Sequence, residues 1–361
     1  MIYIQAIVVL GGLGGTLAVL LLIADRFLAN YGPCKVAIND RDPIEIEGGR
    51  KLLEVFYDNA IFIPSACGGQ GTCGFCKITV KDGGGPVLPT ELPYLTTEEV
   101  EAGTRLACQV KVREDVVVHV KEEYLNVKEF KAVISSARMI THDTRELRLK
   151  LTEGEEIDYR PGQYVQVFVP DTGETTFRAY SVASAPSSKT EIELLVRLVP
   201  GGLGSTYLHN IRVGDGITFT GAYGEFELDM SEDTELVCVG GGCGMAPMRS
   251  ILRHIHEVAP TRTCRLFFGA RTTDDIMYMN EFQALAGEMK AFGLHYALSE
   301  PAQSPGWDGE TGFIHESVER HLGTEGRRQA FLCGPPQMVE ATMRVLHDRG
   351  LTRDQIFYDE F

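Results

Sequence analysis

Four cysteines have the spacing of ligands to an iron-sulfur cluster. Cys67, Cys73 and Cys76 lie in one glycine-rich loop, and Cys108 follows far downstream. Four thiolates bind either a [2Fe-2S] cluster or zinc, but structural zinc usually takes two Cys-x2-Cys pairs, and only Cys73 and Cys76 are so spaced. The glycines let backbone amides approach cluster sulfurs. The pattern therefore predicts a [2Fe-2S] cluster, one residue away from the plant-type spacing, with zinc or a disulfide pair as alternatives.

A second chemical signature is the tetrapeptide Arg178-Ala179-Tyr180-Ser181. A flavin needs a cation for its pyrophosphate, an aromatic surface for its ring and a hydroxyl near the ring nitrogens. Arg178, Tyr180 and Ser181 can supply these in that order, and on a strand the first two would share one face. Such tetrapeptides also arise on ordinary exposed strands, so the neighbouring segments must decide.

Two later segments favour the flavin interpretation. Residues 201–206 precede a predicted short helix, where amides and the hydroxyls of Ser205 and Thr206 could hold phosphate. Residues 221–226 then close a predicted barrel. Plain turns are the alternative for both segments. The predicted FAD-binding residues are Arg178, Ala179, Tyr180, Ser181, Gly204, Ser205, Thr206 and Phe226.

A glycine-rich turn over residues 239–247 is suited to a dinucleotide. Glycine lets a pyrophosphate approach the start of a helix, whose partial positive charge favours the anion. The turn lacks the usual Gly-x-Gly-x-x-Gly pattern, but residues 269–271 and 333–336 supply two more turns at strand ends, where ligands gather. The predicted NADH-binding residues are Gly241, Gly242, Gly244, Met245, Ala246, Pro247, Arg271, Cys333, Gly334 and Pro335.

Two features of this segment bear on the nicotinamide. Cys333 is placed to lie beside the nicotinamide ring, with a buried structural thiol as the alternative. NADH is preferred to NADPH because no basic pair follows Arg271, although Arg271 itself could contact a 2'-phosphate.

Three predicted domains position these residues. Residues 33–121 combine short strands with one helix, as in a β-grasp ferredoxin domain. Residues 128–230 contain several short strands with turn signals, which predict an antiparallel β-barrel that binds FAD. Residues 231–361 alternate apolar strands with helices, which predicts a doubly wound parallel sheet that binds NAD(H). The predicted fold class is therefore multidomain α+β and α/β.

The N-terminal segment has the composition of a membrane anchor. Residues 2–24 contain no charged side chain and could cross a bilayer as a helix. A signal peptide, the alternative, normally begins with positive charge and ends in a small-residue cleavage site, whereas this segment begins Met1-Ile2-Tyr3. We predict a retained transmembrane helix. The helix is predicted to cross the inner membrane once. The positive charges of Arg26 and Lys35, and the need to meet a reduced donor, place the C-terminal domains in the cytoplasm.

Composition narrows the classes of partner. The 361 residues carry a net charge of -16, which disfavours nucleic acid and suits docking onto basic patches of an electron acceptor; simple solubility is the alternative. The nine cysteines fit metal ligands and buried thiols in a reducing compartment. Five histidines show no metal-ligand spacing and are interpreted as surface or core residues: His142, His209, His254, His295 and His315.

The order of these motifs resembles the NADH-oxidising F subunit of the sodium-translocating NADH:quinone oxidoreductase, over essentially the whole chain. Residues 88–92, 105–109, 312–315 and 359–361 also resemble that family. In it, and in the broader ferredoxin-NADP reductase superfamily, the arginine, tyrosine and serine bind FAD and the two turns bind the nicotinamide nucleotide. The resemblance also implies that Phe361 covers the flavin.

The implied function is that of a membrane-anchored NADH dehydrogenase component. Electrons would pass from NADH through FAD and the [2Fe-2S] cluster to integral-membrane subunits, and ultimately to quinone, within a sodium-translocating respiratory complex. The flavin is required because a nicotinamide gives up two electrons as hydride whereas the cluster accepts one. The predicted catalytic residues are Ser181, Cys333 and Phe361.

Two other functions stay open at this point. Residues 163–177 are shorter than the matching segment of that family and resemble the reductase components of soluble multicomponent oxygenases, which lack a membrane helix. The other possibility is a non-catalytic membrane ferredoxin with a vestigial flavin domain. The intact Arg178, Tyr180, Ser181 and Cys333 argue against it.

Overall fold

A computed structural model describes residues 11–12, 14–20, 31–170, 176–231 and 233–360. The chain divides into two compact units, Met1–Lys128 and Glu129–Phe361. The second unit contains both the barrel and the parallel sheet. Each unit is built around its own buried core.

The first unit contains a five-stranded sheet with strand order β2-β1-β5-β3-β4. Its strands β1 and β5 are parallel, and the other neighbouring pairs are antiparallel. Helix α1 buries Leu52, Leu53 and Phe56. These elements confirm a ferredoxin-type fold, although the sequence pattern missed β4. The elements are β1 (Pro33–Ile38), β2 (Ile44–Glu47), α1 (Leu52–Asp58), β3 (Lys77–Asp82), α2 (Thr97–Glu101), β4 (Thr104–Leu106) and β5 (Val116–His119).

The second unit begins with a six-stranded antiparallel sheet of order β10-β7-β6-β11-β8-β9. A bridge between Val182 and Leu194 joins the two edges, so the sheet closes into the predicted barrel. Inward-facing side chains such as Leu147, Leu149 and Phe219 fill it. The elements are β6 (Lys128–Met139), β7 (Thr144–Leu151), β8 (Tyr164–Val169), β9 (Thr176–Ser181), β10 (Glu191–Arg197), α3 (Leu203–Asn210) and β11 (Gly216–Tyr223).

A six-stranded parallel sheet of order β15-β14-β13-β12-β16-β17 follows. Its central strands are almost continuously apolar because helices cover both faces. This confirms the predicted doubly wound sheet. The elements are β12 (Thr234–Gly241), α4 (Met245–Val258), β13 (Cys264–Ala270), α5 (Met279–Glu288), β14 (Phe292–Leu298), β15 (Glu310–Thr311), α6 (Ile314–His321), β16 (Arg327–Gly334), α7 (Pro336–Asp348) and β17 (Ile356–Glu360).

Most of the predicted membrane helix, residues 2–24, lies outside the described residues. Within it, residues 11–12 and 14–20 are helical. Of the helices in the described part of the chain, none has the length and apolar character needed to cross a membrane.

Candidate cluster and nucleotide sites

The first unit brings the four predicted ligand cysteines together as two pairs. The thiols of Cys67 and Cys73 are hydrogen-bonded to each other, and so are those of Cys76 and Cys108. The interaction within the first pair lowers the pKa of Cys67 and raises that of Cys73, and the interaction within the second lowers the pKa of Cys108 and raises that of Cys76. Within each pair, one thiol therefore deprotonates more readily to the thiolate, the form that binds metal.

This arrangement fits two metal ions better than one. A single tetrahedral zinc brings four sulfurs to within about 4 Å of one another, given Zn–S bonds of about 2.3 Å. Among the described residues, the one group of three or more metal-binding side chains with all ligand atoms within 4.8 Å of one another lies elsewhere, and it contains no cysteine. Two sulfur pairs instead suit a cluster in which each iron takes two cysteines.

A buried ion pair supports the segment that carries the fourth ligand. The Arg105 guanidinium donates to both carboxylate oxygens of Glu91, with the closest contact at 2.7 Å. The backbone amide of Leu106 donates to the same carboxylate. Burial disfavours the Glu91 carboxylate, but these hydrogen bonds outweigh it, and the pKa of Glu91 is lowered. The charge pair therefore fixes the backbone two residues before Cys108.

Two glycines of the cluster loop, residues 65–76, leave room for side chains from neighbouring segments. A Cβ atom at Gly71 would lie 2.4 Å from the amide nitrogen of Gln109, and one at Gly74 would lie 2.8 Å from the Tyr94 ring. Both glycines also have positive φ, 76° and 72°. The Gln109 amide donates to the sulfur of Cys108 at 3.6 Å. Larger residues at these two positions would displace the side chains that hold the loop.

The predicted flavin residues lie on β9 and at the start of α3. A Cβ atom at Gly204 would lie 2.7 Å from Cγ of Arg178 and 2.9 Å from the Tyr180 hydroxyl. Arg178 and Tyr180 therefore share one face of β9, next to the first turn of α3. Ala179 and Ser181 are half-buried on the same strand, and burial raises the pKa of Tyr180. A cation, an aromatic ring and a helix start thus converge, as the flavin interpretation requires.

Two of the predicted FAD residues are engaged elsewhere. The Ser205 hydroxyl accepts from the Val199 amide at 3.1 Å, which closes the loop before α3. Phe226 is buried, with its ring 5.5 Å from that of Phe331. Thr206 is exposed on α3. Phe361 lies outside the described residues. The Ser205 hydroxyl thus holds the loop before α3 and the Phe226 ring packs in the core, contacts that the spacing of the motifs does not predict.

A cavity of about 470 Å³ opens at the carboxyl ends of the parallel strands. That volume lies within the range of about 300–1,000 Å³ that is usual for ligand sites. Of the predicted nucleotide residues, Gly241, Gly242, Arg271 and Pro335 line it. The barrel contributes Thr141, Asp143, Thr144 and Arg197 to the same wall.

The remaining predicted nucleotide residues are packed beneath the cavity. Met245, Ala246 and Pro247 are buried in the first turn of α4. A Cβ atom at Gly244 would lie 1.9 Å from the carbonyl oxygen of Cys333, so only glycine lets the two turns meet. Gly334 likewise leaves room for Met338. These residues shape the site from behind.

Cys333 itself is buried, and burial raises the pKa of its thiol well above the ordinary value. Its register partner on β17 is Asp359. Burial raises the pKa of Asp359 to about 6. A carboxyl group with a raised pKa therefore lies on β17, beside the strand that carries Cys333. Asp359 belongs to a terminal segment that resembles the family, but no motif predicts a role for it.

A buried charge cluster joins the barrel to the parallel sheet inside the second unit. The Arg249 guanidinium on α4 contacts Glu193 of the barrel and lies 3.0 Å from Glu281 on α5. It also lies 4.1 Å above the Tyr278 ring, whose hydroxyl donates to Glu146 of the barrel at 2.5 Å. Arg249 therefore meets carboxylates from both halves of the unit.

Models of three known domain families match consecutive parts of the chain. A 2Fe-2S iron-sulfur cluster binding domain matches residues 36–113. An oxidoreductase FAD-binding domain matches residues 131–228, and an oxidoreductase NAD-binding domain matches residues 238–344. The matches follow the order of the cysteine pairs, the β9 motif and the nucleotide cavity.

Curated relatives extend the match over almost the whole chain. The F subunit of the Na(+)-translocating NADH-quinone reductase of Neisseria gonorrhoeae is 35% identical over 96% of this chain and 96% of its own length. The chain belongs to this F-subunit family. The corresponding F subunit of Klebsiella pneumoniae is 36% identical over 95% of both chains.

The fold of this chain is similar to the solved structures of two reductases. An Amycolatopsis cytochrome P450 reductase has a TM-score of 0.71 and 31% identity, covering 91% of this chain and 98% of its own. A ferredoxin reductase in carbazole 1,9a-dioxygenase has a TM-score of 0.69 and 27% identity, with the same coverage. The F-subunit family thus shares its three-domain fold with these reductases.

Several residues that line the nucleotide cavity were not predicted from single motifs, and the F-subunit family accounts for some of them. Residues 312–315 resemble that family without a predicted role, and all four line the nucleotide cavity. Asp143 and Arg197 line it as well, but they lie at barrel strand ends with no motif around them. The position of these two residues at the cavity follows only from the packing of the barrel beside the parallel sheet.

Proposed function

We propose that this chain is the NADH-oxidising component of a sodium-translocating NADH-quinone reductase. It passes electrons from NADH through FAD and a [2Fe-2S] cluster to membrane subunits and ultimately to quinone. The observation that carries the proposal is the pairing of four cysteine sulfurs in a chain that also holds a barrel with the β9 motif and a nucleotide cavity. No single-cofactor function would need all three.

The proposed residue roles follow from the groups at each site. Cys67, Cys73, Cys76 and Cys108 bind the cluster. FAD, when bound, supplies the conversion of a two-electron hydride into single electrons. Arg178 neutralises its pyrophosphate, Tyr180 supports the ring, Ser181 places a hydroxyl near the ring nitrogens and Phe361 covers the ring.

The nucleotide site has its own proposed roles. Gly241, Gly242, Gly244 and Gly334 allow the chain to approach the pyrophosphate, and Met245, Ala246 and Pro247 hold the helix start beneath it. Pro335 and Arg271 line the wall. Cys333 lies at the nicotinamide end of the site. The domain ranges proposed for these roles are 33–121, 128–230 and 231–361.

The charges around the cavity support NADH over NADPH. A 2'-phosphate would need an unpaired cation, but the Arg197 guanidinium lies 2.9 Å from the Asp143 carboxylate and that of Arg271 lies 3.7 Å from Asp275. Both arginines are thus partly neutralised. We expect NADH to reduce the protein at least about tenfold more efficiently than NADPH, which corresponds to about 1.4 kcal/mol.

The membrane location belongs to the same proposal. Residues 2–24 form a single transmembrane helix in the inner membrane, with the domains over residues 33–361 in the cytoplasm. The apolar composition of that segment supports this placement. The immediate partners are integral-membrane subunits of the complex, and the net charge of -16 favours a basic docking surface on them.

Spectroscopy of the full-length protein tests the proposal. Visible absorption and electron paramagnetic resonance are recorded before and after anaerobic addition of NADH. We expect bleaching of a flavin band and a plant-like [2Fe-2S] signal in the reduced sample. A colourless preparation from iron-replete cells, or one that binds zinc at the four cysteines, would contradict the proposal.

A second candidate is the reductase component of a multicomponent oxygenase. The likeness to the cytochrome P450 reductase and the carbazole dioxygenase reductase favours it. The two functions differ in the electron acceptor. Sodium-stimulated quinone reduction by membranes that contain the chain, lost when its gene is deleted, would support the respiratory role. Reduction of a soluble oxygenase in its place would support the alternative.

A further inference from the structure

Two histidines and a glutamate meet on one side of the parallel sheet. His295 lies on β14, Glu310 on the short edge strand β15 and His321 at the end of α6. Within the described residues, they form the one group of three metal-ligating side chains whose ligand atoms all lie within 4.8 Å of one another. Spacing along the chain does not predict this group, because His321 comes to lie beside His295 only in the folded chain.

The ligand atoms have the separations of a metal site. Nδ1 of His295 lies 3.3 Å from Oε1 of Glu310, and Nε2 of His321 lies 3.0 Å from the same oxygen. Around a tetrahedral zinc with bonds of about 2.0–2.1 Å, neighbouring ligand atoms lie about 3.3 Å apart. The two imidazole planes are stacked at 30° to each other, so the partly exposed His321 ring must rotate to aim its nitrogen at an ion bound by His295 and Glu310.

Neighbouring groups support the segments that carry the three ligands. The His295 ring is stacked between the rings of Phe267, at 4.7 Å, and His321, at 4.1 Å. The indole nitrogen of Trp307 donates to the Glu310 carbonyl at 2.9 Å, and the Arg265 guanidinium donates to the His321 carbonyl. Three separate elements thus present the ligands with support from neighbouring groups, which metal sites in proteins require.

The nearby cations are already paired. Arg320 binds Oε2 of Glu310 at 2.7 Å, which leaves Oε1 facing the histidines and orients the carboxylate. Arg265 lies 2.7 Å from Glu235. The His321 side chain is 39% exposed, so an ion can enter and a water can complete its coordination.

We propose that His295, Glu310 and His321 form a Zn²⁺ site, separate from the cysteine cluster and independent of the proposed electron path. Two imidazoles and one carboxylate favour zinc over magnesium or calcium, which prefer all-oxygen ligands. Binding displaces any proton held on the two ligand nitrogens and connects β14, β15 and α6. The site is a structural one that stabilises this edge of the sheet.

Metal binding to the full-length protein, loaded with flavin and cluster, tests the proposal. After removal of loose metal by a weak chelator, Zn²⁺ is titrated and followed by calorimetry, with zinc and iron counted in the dialysed sample. We expect one Zn²⁺ per chain with no loss of iron, and a higher melting temperature. His321→Gln, at a partly exposed position, should weaken Zn²⁺ binding at least about tenfold and abolish the thermal shift.

Two further variants separate the site from unspecific binding. His295→Gln should weaken Zn²⁺ binding to the same extent, with circular dichroism as the check on folding. His256→Gln is the matched control, because that imidazole pairs with Glu288 at 2.8 Å but belongs to no three-ligand group among the described residues. No Zn²⁺ binding by the wild type, or wild-type affinity in His321→Gln, would overturn the proposal.

Discussion

The cluster loop and the nucleotide cavity use their sequence motifs in different ways. At the cluster site, the four motif cysteines present their thiols as two pairs. In the nucleotide segment, Gly241 and Gly242 line the cavity, whereas Met245, Ala246 and Cys333 are buried behind it. Metal ligands act through particular atoms. A nucleotide site acts mainly through backbone and space, so many of its motif residues serve packing.

This difference predicts unequal consequences of substitution. Loss of a metal ligand should remove function and leave the fold, because the cluster depends on individual atoms. Loss of a packing residue in the nucleotide segment should reduce stability and activity together. Four substitutions test the contrast, in order of decreasing expected effect.

The largest effect is expected for Cys76→Ala. Removal of one of four sulfur ligands should abolish the [2Fe-2S] signal and electron delivery to the membrane partner, while NADH still reduces the flavin. Electron paramagnetic resonance and stopped-flow absorption measure the two steps. Cys34→Ala is the control, since that buried thiol lies on β1 outside the cluster loop. Retention of the cluster in Cys76→Ala would show that the ligand set is wrong.

Arg249→Met should have the next largest effect. It removes the buried cation between Glu193 and Glu281, although Arg253 still pairs with both, so the substitution should cost about 2–3 kcal/mol of unfolding free energy. Denaturant unfolding measures the loss. Arg344→Met removes an exposed pair with Glu340 and should cost at most about 1 kcal/mol. Equal effects of the two variants would contradict the role assigned to the buried cluster.

Gly244→Ala should affect stability and nucleotide binding together. The new Cβ would clash with the Cys333 carbonyl, which cannot move without shifting β16, so about 1–3 kcal/mol of stability should be lost. The KM for NADH should rise in parallel. Gly287→Ala, with open space at its Cβ position, serves as the control. An unchanged KM in Gly244→Ala would separate this turn from the nucleotide site.

The smallest effect concerns the dependence of stability on pH. Burial raises the pKa of Asp359 from 3.8 to about 6, so between these values the folded protein keeps a proton that the unfolded chain loses. Unfolding free energy should therefore fall by about 2 kcal/mol as pH rises from about 4 to about 7. Asp359→Asn should remove this decline, whereas Asp354→Asn, at an exposed position, should not. Denaturant titrations at a series of pH values provide the comparison.

Much of the fold could be predicted because local patterns and packing agree. Continuous apolar runs predicted the central strands of the parallel sheet, and the observed strands β12 and β13 extend those runs by one or two residues at each end. Strands β4, β15 and β17 were missed. Strands β4 and β15 are three and two residues long, too short for a hydrophobic period, and each forms by pairing with a neighbouring strand.

The candidate sites were predictable to different degrees for the same physical reason. A cysteine binds metal through its own thiol, so the spacing of cysteines along the chain predicts candidate metal ligands directly. The cavity wall at Asp143 and Arg197, and the meeting of His295 with His321, depend on tertiary packing between distant segments. No local pattern contains that information.

The buried guanidinium of Arg249 has a consequence for building hybrid proteins. Its carboxylate partners are split between the barrel, which supplies Glu193, and α5, which supplies Glu281. A chimera that exchanged the barrel alone for that of a relative lacking Glu193 would leave Arg249 and Arg253 to share the carboxylate of Glu281. The two halves must therefore be transplanted, or evolve, as a matched set.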